Sequence, residues 1–193
     1  MIAGEVPVFV GIRGHLIHFL SDSSLGGSEA IQSFSDGVLI IEAGRIVACG
    51  HYAALGERYR ACNERYHYPD RFIFPGFVDT HTHFAQTDII ASPSPSLLHW
   101  LEHYTFPEEA KFANQTHGQA VARFFIEELL RQGITTASIF ATVHPESCEA
   151  IFQAADDRAM RIIAGKVLMD QNAPDFLRDT AQGGLEASRA LID

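Results

Sequence analysis

The stretch that decides the fold is FIFPGFVDTHTHFAQ, residues 72–86. It opens with a short, nearly continuous apolar run, which is typical of a strand covered on both faces of a parallel sheet. His81 and His83 follow, with one residue between them. Because strand side chains alternate between faces, both imidazoles are expected to point to one side and to reach one cation together. The stretch therefore predicts a parallel α/β fold with a site at the carboxyl end of this strand, where such folds bind their ligands.

The residues after this stretch repeat the pattern. Apolar runs at 133–142 and 161–169 alternate with helical periodicity at 118–132 and 146–160. The order β, α, β, α, β at this spacing requires parallel strands joined by crossover helices. Residues 71–193 are therefore predicted to be the first β/α units of a (β/α)8 TIM-like barrel or of a doubly wound sheet. Because a complete barrel takes about 250 residues, the barrel is expected to be incomplete in this chain.

Residues 1–70 form a separate, β-rich segment. Alternating apolar and polar residues at 6–19 predict a strand. The Ser-, Asp- and Gly-rich stretch 21–37 predicts a loop, and the pair at 43–44 predicts a tight hairpin between two short apolar runs. The polar residues 51–71 favour helix or coil.

Composition and charge exclude several classes of protein. The chain has 193 residues, 47% of them hydrophobic, which is enough for a packed core, and its net charge of −10 argues against nucleic acid or an acidic membrane as partner. Cys49, Cys62 and Cys148 form no CxxC pair, so reduced thiols in a cytoplasmic protein are expected. No apolar run reaches the ~18 residues of a membrane span. A basic signal-peptide region and a cleavage site are also absent from the sequence.

The histidine pair is the main candidate site. Neutral imidazole nitrogen is a good ligand for zinc and similar metals. Asp79 shares the face of His81 and His83, and it could orient an imidazole or simply accept turn hydrogen bonds. An isolated His-X-His pattern is common, so the residues alone also leave a purely structural role for the pair.

Other candidates each have a competing interpretation. The HxE pattern at 144–146 matches zinc deaminases of the cytidine type, but these need a PCxxC motif and here only Cys148 follows. We expect His144 to end the second strand and face a pocket, or else to cap the next helix. The acid pairs 108–109 and 156–157 are interpreted as solvated faces. The helical spacing at 97–104 predicts a core-facing helix.

Longer stretches resemble the amidohydrolase superfamily. IEAGRIVACG (41–50) followed by FPGFVDTHTH (74–83) is similar to the start of such enzymes. Four further stretches resemble its guanine deaminase family, in the ATZ/TRZ-like branch: TDIIAS (87–92), LLHWLEHYTFPEE (97–109), FATVHPES (140–147) and IAGKVLMDQNAPDFLRDT (163–180). The likeness runs from about residue 37 to about residue 181.

The resemblance implies a zinc-dependent hydrolase fold and a reaction. It implies a (β/α)8 barrel with a small β-sandwich built from both chain ends, residues 1–70 being the N-terminal sandwich segment. One zinc per complete site would be held by His81, His83, two later histidines and a late aspartate. Activated water would then convert guanine to xanthine and ammonia. The complete family protein is expected to be cytoplasmic and is often a homodimer.

The resemblance also assigns roles to single residues. Gln86 and His83 are expected to contact the purine, and Lys166 to form a salt bridge or pack rather than bridge two metals. The family's acid/base glutamate would lie beyond Asp193, so no catalytic residue is expected within this chain. The chain is therefore expected to be a catalytically incomplete N-terminal portion. Another amidohydrolase, such as a different heterocycle deaminase or a cyclic amidase, and a non-catalytic fragment remain the alternatives.

Overall fold

The computed structural model describes residues 8–192, apart from the side chain of Ser23. The described chain divides into two compact units, one ending at Pro75 and the other beginning at Gly76. The division follows Pro75, whereas the sequence predicts a domain boundary between residues 70 and 71. Residues 6 and 7 of the first predicted strand lie outside the described residues.

The first unit is a four-stranded sheet with one substantial helix. The strand order is β3-β2-β1-β4, with β4 parallel to β1 and the other neighbours antiparallel. A short 3₁₀ helix, Gly27–Ala30, precedes β2. The elements are β1 (Phe9–Phe19), α1 (Ser23–Gly26), β2 (Ile31–Glu42), β3 (Arg45–His51), α2 (Tyr52–Ala61) and β4 (Glu64–Ile73).

The predicted hairpin joins β2 to β3. Ala43 has φ 47° and Gly44 has φ 75°, so both central residues occupy the left-handed region. Two such residues define the turn whose twist matches that of paired antiparallel strands. A small core of Val38, Ile40, Tyr59 and Cys62 lies between this sheet and α2. The described residues of this first unit form a single sheet, and the sandwich arrangement stays a prediction.

Two predictions in this unit are wrong in part. The expected loop 21–37 contains α1 and the 3₁₀ helix, and β2 already begins at Ile31. The expected helix or coil at 51–71 is confirmed by α2 and is wrong from Glu64, where β4 begins. Strand β4 is polar and almost wholly exposed, and its parallel ladder with β1 supplies its backbone partners. Tertiary pairing therefore overrides local propensity at this edge of the sheet.

The second unit contains three parallel strands and the helices that join them. The sheet order is β5-β6-β7, as the alternation of the sequence predicted. A 3₁₀ helix, Phe84–Ile89, follows β5, and a π-helical turn, Leu101–Thr105, joins α3 to α4. The elements are β5 (Phe77–His83), α3 (Leu97–Trp100), α4 (Phe106–Ala110), α5 (Gln115–Arg131), β6 (Ile134–Phe140), α6 (Pro145–Asp156), β7 (Arg161–Gly165) and α7 (Ala181–Ala190).

The apolar run at 72–81 is not one strand. It is divided between the end of β4 and the start of β5, with Pro75 in the break. Proline has no N–H to donate to a ladder, so it occurs on edge strands, such as β4 at Pro69, or at breaks such as this one.

The core of the second unit lies on one face of the sheet. Helices α5 and α6 pack there, around the fully buried Phe84, Phe112, Ile126, Cys148 and Ile151. Exposed apolar side chains occur on strands and strand ends, among them Val78, Phe140 and Ile163, which is 71% exposed. The described residues form this open three-stranded sheet and no closed barrel. The fold is therefore α/β, with the incomplete barrel that the sequence predicted.

Two predicted surfaces differ in the structure. Glu108 and Glu109 are each only 5% exposed, because α4 packs against the 3₁₀ helix and the π-helical turn. The interpretation of this pair as a solvated face is wrong, although Asp156 and Asp157 are exposed. The prediction of a core-facing helix is also wrong for its first turn, because Leu97 and Leu98 are exposed.

None of the helices in residues 8–192 is sufficiently long and apolar to span a bilayer.

Gly76 is required by a close approach between strands. A Cβ at this position would lie 2.6 Å from the Cβ of Thr135 on β6. We expect Gly76→Ala to lower the free energy of unfolding by about 2 kcal/mol or more, since overpacking shifts backbone. Urea unfolding can be followed by fluorescence of Trp100, the single tryptophan, which lies in this unit. Gly165→Ala is the control, because a methyl group added there meets no atom within 4 Å. Equal losses of unfolding free energy in the two variants would contradict the explanation.

Glu109 gives the fold a pH dependence. Burial raises its pKa from 4.5 to about 7, so the folded state favours the neutral acid. The folded state is stabilised relative to the unfolded state by its preference for the protonated Glu109. This stabilisation is complete below pH 4.5 and is lost as the pH rises to about 7. We expect Glu109→Gln to become more stable than the parent as pH rises from 5 to 8, by up to ~3 kcal/mol. Urea unfolding at each pH measures this. A parallel trend in the exposed control Glu102→Gln would overturn it.

Candidate metal centre

His81 and His83 stand together at the carboxyl end of β5. Their Nε2 atoms lie 3.2 Å apart. Two imidazole nitrogens bound to one tetrahedral zinc at 2.0–2.1 Å are separated by about 3.3 Å. The spacing of the pair therefore fits two positions of a tetrahedral metal shell, as alternation along the strand predicts.

Phe140, at the end of β6, supports both imidazoles. It lies opposite His83 in the parallel register, and the two rings stack with centroids 4.7 Å apart and planes 11° apart. Its centroid is 5.0 Å from that of His81. Asp79 Oδ1 accepts a hydrogen bond from the backbone N–H of His81 at 3.1 Å. Of its two expected roles, Asp79 therefore has that of a local backbone acceptor and not that of an imidazole partner. The ring orientations thus depend on an aromatic neighbour that sequence reasoning did not identify.

The electrostatics of the site favour the neutral ligand form of His83. Burial lowers the pKa of His83, and the charge of nearby His81 lowers it further. A metal competes with the proton for the same nitrogen lone pair, so a depressed pKa leaves the ring available for coordination at neutral pH.

A cavity of about 410 Å³ lies beside the histidines. Gln86, on the 3₁₀ helix that follows β5, lines it together with both imidazoles. Trp100 and Phe125 contribute aromatic walls. A cavity of this size with apolar walls and a few polar groups suits a small ring compound. The fold therefore brings His81, His83 and Gln86 to one cavity.

His144 does not line this cavity. It precedes α6, and its Nδ1 lies 3.0 Å from the hydroxyl of the buried Thr142. Thr142 also bonds the hydroxyl of Ser147 at 2.9 Å. Burial lowers the pKa of His144. His144 occupies the N-cap position of α6, as one of its expected roles required, but its imidazole makes no capping hydrogen bond and instead belongs to a buried hydroxyl network.

Lys166 and Cys148 have structural roles. The Lys166 side chain is 2% exposed, forms an ion pair with Asp179 and donates to the carbonyl of Val167 at 3.1 Å. This agrees with the expected salt bridge. Cys148 is fully buried, and burial raises the pKa of its thiol to about 11, which makes it a poor ligand or nucleophile. The cytidine-deaminase interpretation is not supported.

Two histidines alone would not complete a catalytic metal shell. Within residues 8–192, no third His, Cys, Asp or Glu side chain lies at metal-binding distance from His81 and His83. Catalytic zinc sites use three protein ligands.

The sequence could have pointed to Phe140, because parallel strands end at one edge and the strand after the His-X-His strand ends in this aromatic residue.

Comparisons with known proteins identify what this chain resembles. The Amidohydrolase family model matches residues 72–193. A guanine deaminase of Escherichia coli is 40% identical over 195 residues, covering 100% of this chain and 44% of the relative. A solved guanine deaminase from Bradyrhizobium japonicum is 34% identical with a TM-score of 0.87, over 96% of this chain and 40% of that one.

A third likeness is to a guanine deaminase from C. acetobutylicum, solved with bound guanine in its active site. It is 28% identical with a TM-score of 0.80, over 95% of this chain and 42% of that one. The expected resemblance is confirmed. This chain spans less than half the length of the relatives it matches.

The charge of His81 is one cause of the low pKa of His83. We expect His81→Gln, which removes that charge and keeps a bulky side chain, to raise the pKa of His83 toward its ordinary value. NMR titration of the His83 ring proton in the presence of a chelator measures this. Thr80→Ala is the control on the same strand and should leave the titration unchanged. An unchanged titration in His81→Gln would show that the two rings are not electrostatically coupled.

Proposed function

This chain belongs to the amidohydrolase family, and we propose that it serves the zinc-dependent hydrolysis of guanine to xanthine and ammonia. The observation that carries the proposal is the pair of imidazole nitrogens 3.2 Å apart beside a cavity that Gln86 also lines. The 40% identity to a guanine deaminase over the whole chain supports the choice of substrate. The whole length of that relative is more than twice the part matched here.

His81 and His83 would hold the metal, one zinc per complete site. When bound, zinc supplies Lewis-acid activation of water at neutral pH. Phe140 would keep both rings in the orientation that coordination needs, because it packs against each of them. The low pKa of His83 keeps its ring nitrogen unprotonated for this role.

Gln86 would orient the purine. Its carboxamide offers both a donor and an acceptor, which matches the alternating polar edge of guanine. Trp100 and Phe125 would pack against the flat ring, since aromatic stacking and apolar burial both favour that arrangement. His83 lines the same cavity and would therefore contact substrate as well as metal.

The proton-transfer group is not in this cavity. No Asp or Glu belongs to the residues that line it among those described. Hydrolytic removal of an amine needs a group that moves protons between water, ring and leaving amine. We assign that role, and the remaining metal ligands, to residues other than those described. By this proposal, residues 8–192 alone hold zinc weakly at the His81–His83 pair and turn over little or no guanine.

The setting follows from the same features. The charge of −10 and three free thiols, at Cys49, Cys62 and Cys148, fit a cytoplasmic protein. We place the protein there, with guanine as its ligand and neither nucleic acid nor membrane as its partner. Its complete form is proposed to be a homodimer.

A chimera tests the function. The matched stretch of the Escherichia coli guanine deaminase is replaced by this chain, and xanthine formation and bound zinc are measured. We expect turnover that depends on one zinc at the His81–His83 pair. His81→Ala should lower kcat/KM at least about a thousandfold, about 4 kcal/mol of barrier. Gln86→Ala should mainly raise KM for guanine, by about tenfold, through loss of a polar contact.

Matched controls use exposed residues of the same types. His67→Ala and Gln153→Ala should retain the activity of the parent chimera. A folded, zinc-loaded chimera that leaves guanine unchanged, or that prefers another heterocycle, would reject the proposed substrate. Full xanthine formation by the 193-residue chain alone would reject the incomplete site.

A further inference from the structure

A second group of potential metal ligands lies in the unit that begins at Gly76. One ligand atom from each of Asp88, Glu108 and His117 lies within 4.8 Å of the others. Asp88 is on the 3₁₀ helix after β5, Glu108 is on α4, and His117 is in the first turn of α5. Three separate segments therefore place a nitrogen and two carboxylates together.

Two of these ligand atoms are buried without a hydrogen-bond partner. Glu108 is 5% exposed, and its Oε1 finds no donor among residues 8–192. The same is true of His117 Nε2, which lies 3.8 Å from that oxygen, beyond hydrogen-bond range. A buried acceptor without a donor is unfavourable, so Glu108 Oε1 facing a buried ring nitrogen beyond hydrogen-bond range indicates a missing partner.

The other contacts of these residues fix their positions. The second oxygen of Glu108 accepts from Lys111 Nζ at 2.5 Å, so Oε1 is the oxygen left to face His117. The backbone N–H of His117 donates to Asn114 Oδ1 at 3.2 Å, and its ring packs edge-on against Phe112 at 4.8 Å. Both buried ligands are therefore held in place before anything binds.

We propose that Asp88, Glu108 and His117 bind a divalent transition-metal cation, such as Zn²⁺, at a site separate from the His81–His83 pair. One imidazole nitrogen with two carboxylate oxygens suits zinc and its neighbours better than Ca²⁺ or Mg²⁺, which take oxygen ligands. Ligand atoms around zinc lie about 3.3 Å apart, so the group must contract by about 1.5 Å at its widest. Asp88 is exposed and can make this movement.

The local charge agrees with a dication. Lys111 offsets one of the two carboxylates, and the other remains uncompensated within the group. A bound divalent ion would give both acceptor oxygens and His117 Nε2 a partner. It would also tie the 3₁₀ helix to α4 and α5. Because Gln86 lies on that 3₁₀ helix two residues before Asp88, the ion would fix one wall of the cavity described above.

The test removes the first site so that the second can be seen alone. The chain with His81→Ala and His83→Ala is freed of metal and titrated with Zn²⁺ by calorimetry, and with Co²⁺ by visible absorption. We expect about one ion per chain and Co²⁺ bands typical of nitrogen and oxygen ligands. In that background Asp88→Asn and His117→Ala should each weaken Zn²⁺ binding at least about tenfold, since outer-shell changes alone cost that much.

Controls in the same background are Asp156→Asn and His67→Ala, which alter exposed residues outside the group. They should bind Zn²⁺ like their parent. Asp88 is exposed, so Asp88→Asn is expected to fold, which circular dichroism checks. Absence of Zn²⁺ binding at millimolar ion, or equal binding in Asp88→Asn and Asp156→Asn, would overturn the proposal and leave a Glu108–His117 ion pair. The experiment uses no guanine, so its result is independent of the proposed reaction.

Discussion

The parallel pairing of β5 with β6 is the constraint on which the candidate site depends. It sets His83 beside Phe140 and so gives both imidazoles an aromatic surface to pack against. It also requires Gly76, because the strands approach so closely there that a side chain would overlap Thr135. Since the side chains of a strand alternate, one register error would turn the histidines away from the cavity.

A parallel sheet also explains the distribution of apolar surface in this unit. Helices α5 and α6 cover one face and form a dry core, while apolar side chains such as Ile163 remain exposed. In a closed barrel the inner positions are filled by such branched residues from several strands. Further strands of such a barrel would cover these side chains and would bring further groups to the edge that carries His81 and His83.

Two buried carboxylates give this unit its second set of constraints. Glu108 and Glu109 are neighbours on α4, yet they differ in surroundings. Burial raises the pKa of Glu109 to about 7, whereas Glu108 forms an ion pair with Lys111 and faces His117. Adjacent residues on a short helix point in different directions, so one sequence pair can serve two different electrostatic roles.

The sequence by itself determined the parallel order of β5, β6 and β7, the hairpin at Ala43 and Gly44, and the shared face of His81 and His83. These follow from local rules: apolar periodicity, turn residues and strand alternation. It could not determine that polar β4 is a strand, that Glu108 and Glu109 are buried, or that His144 joins a hydroxyl network. Only the tertiary structure decided these, because a ladder partner, burial and hydrogen bonding depend on segments distant along the chain. The grouping of Asp88, Glu108 and His117 has the same cause, since three separate helical segments must pack before their ligand atoms meet.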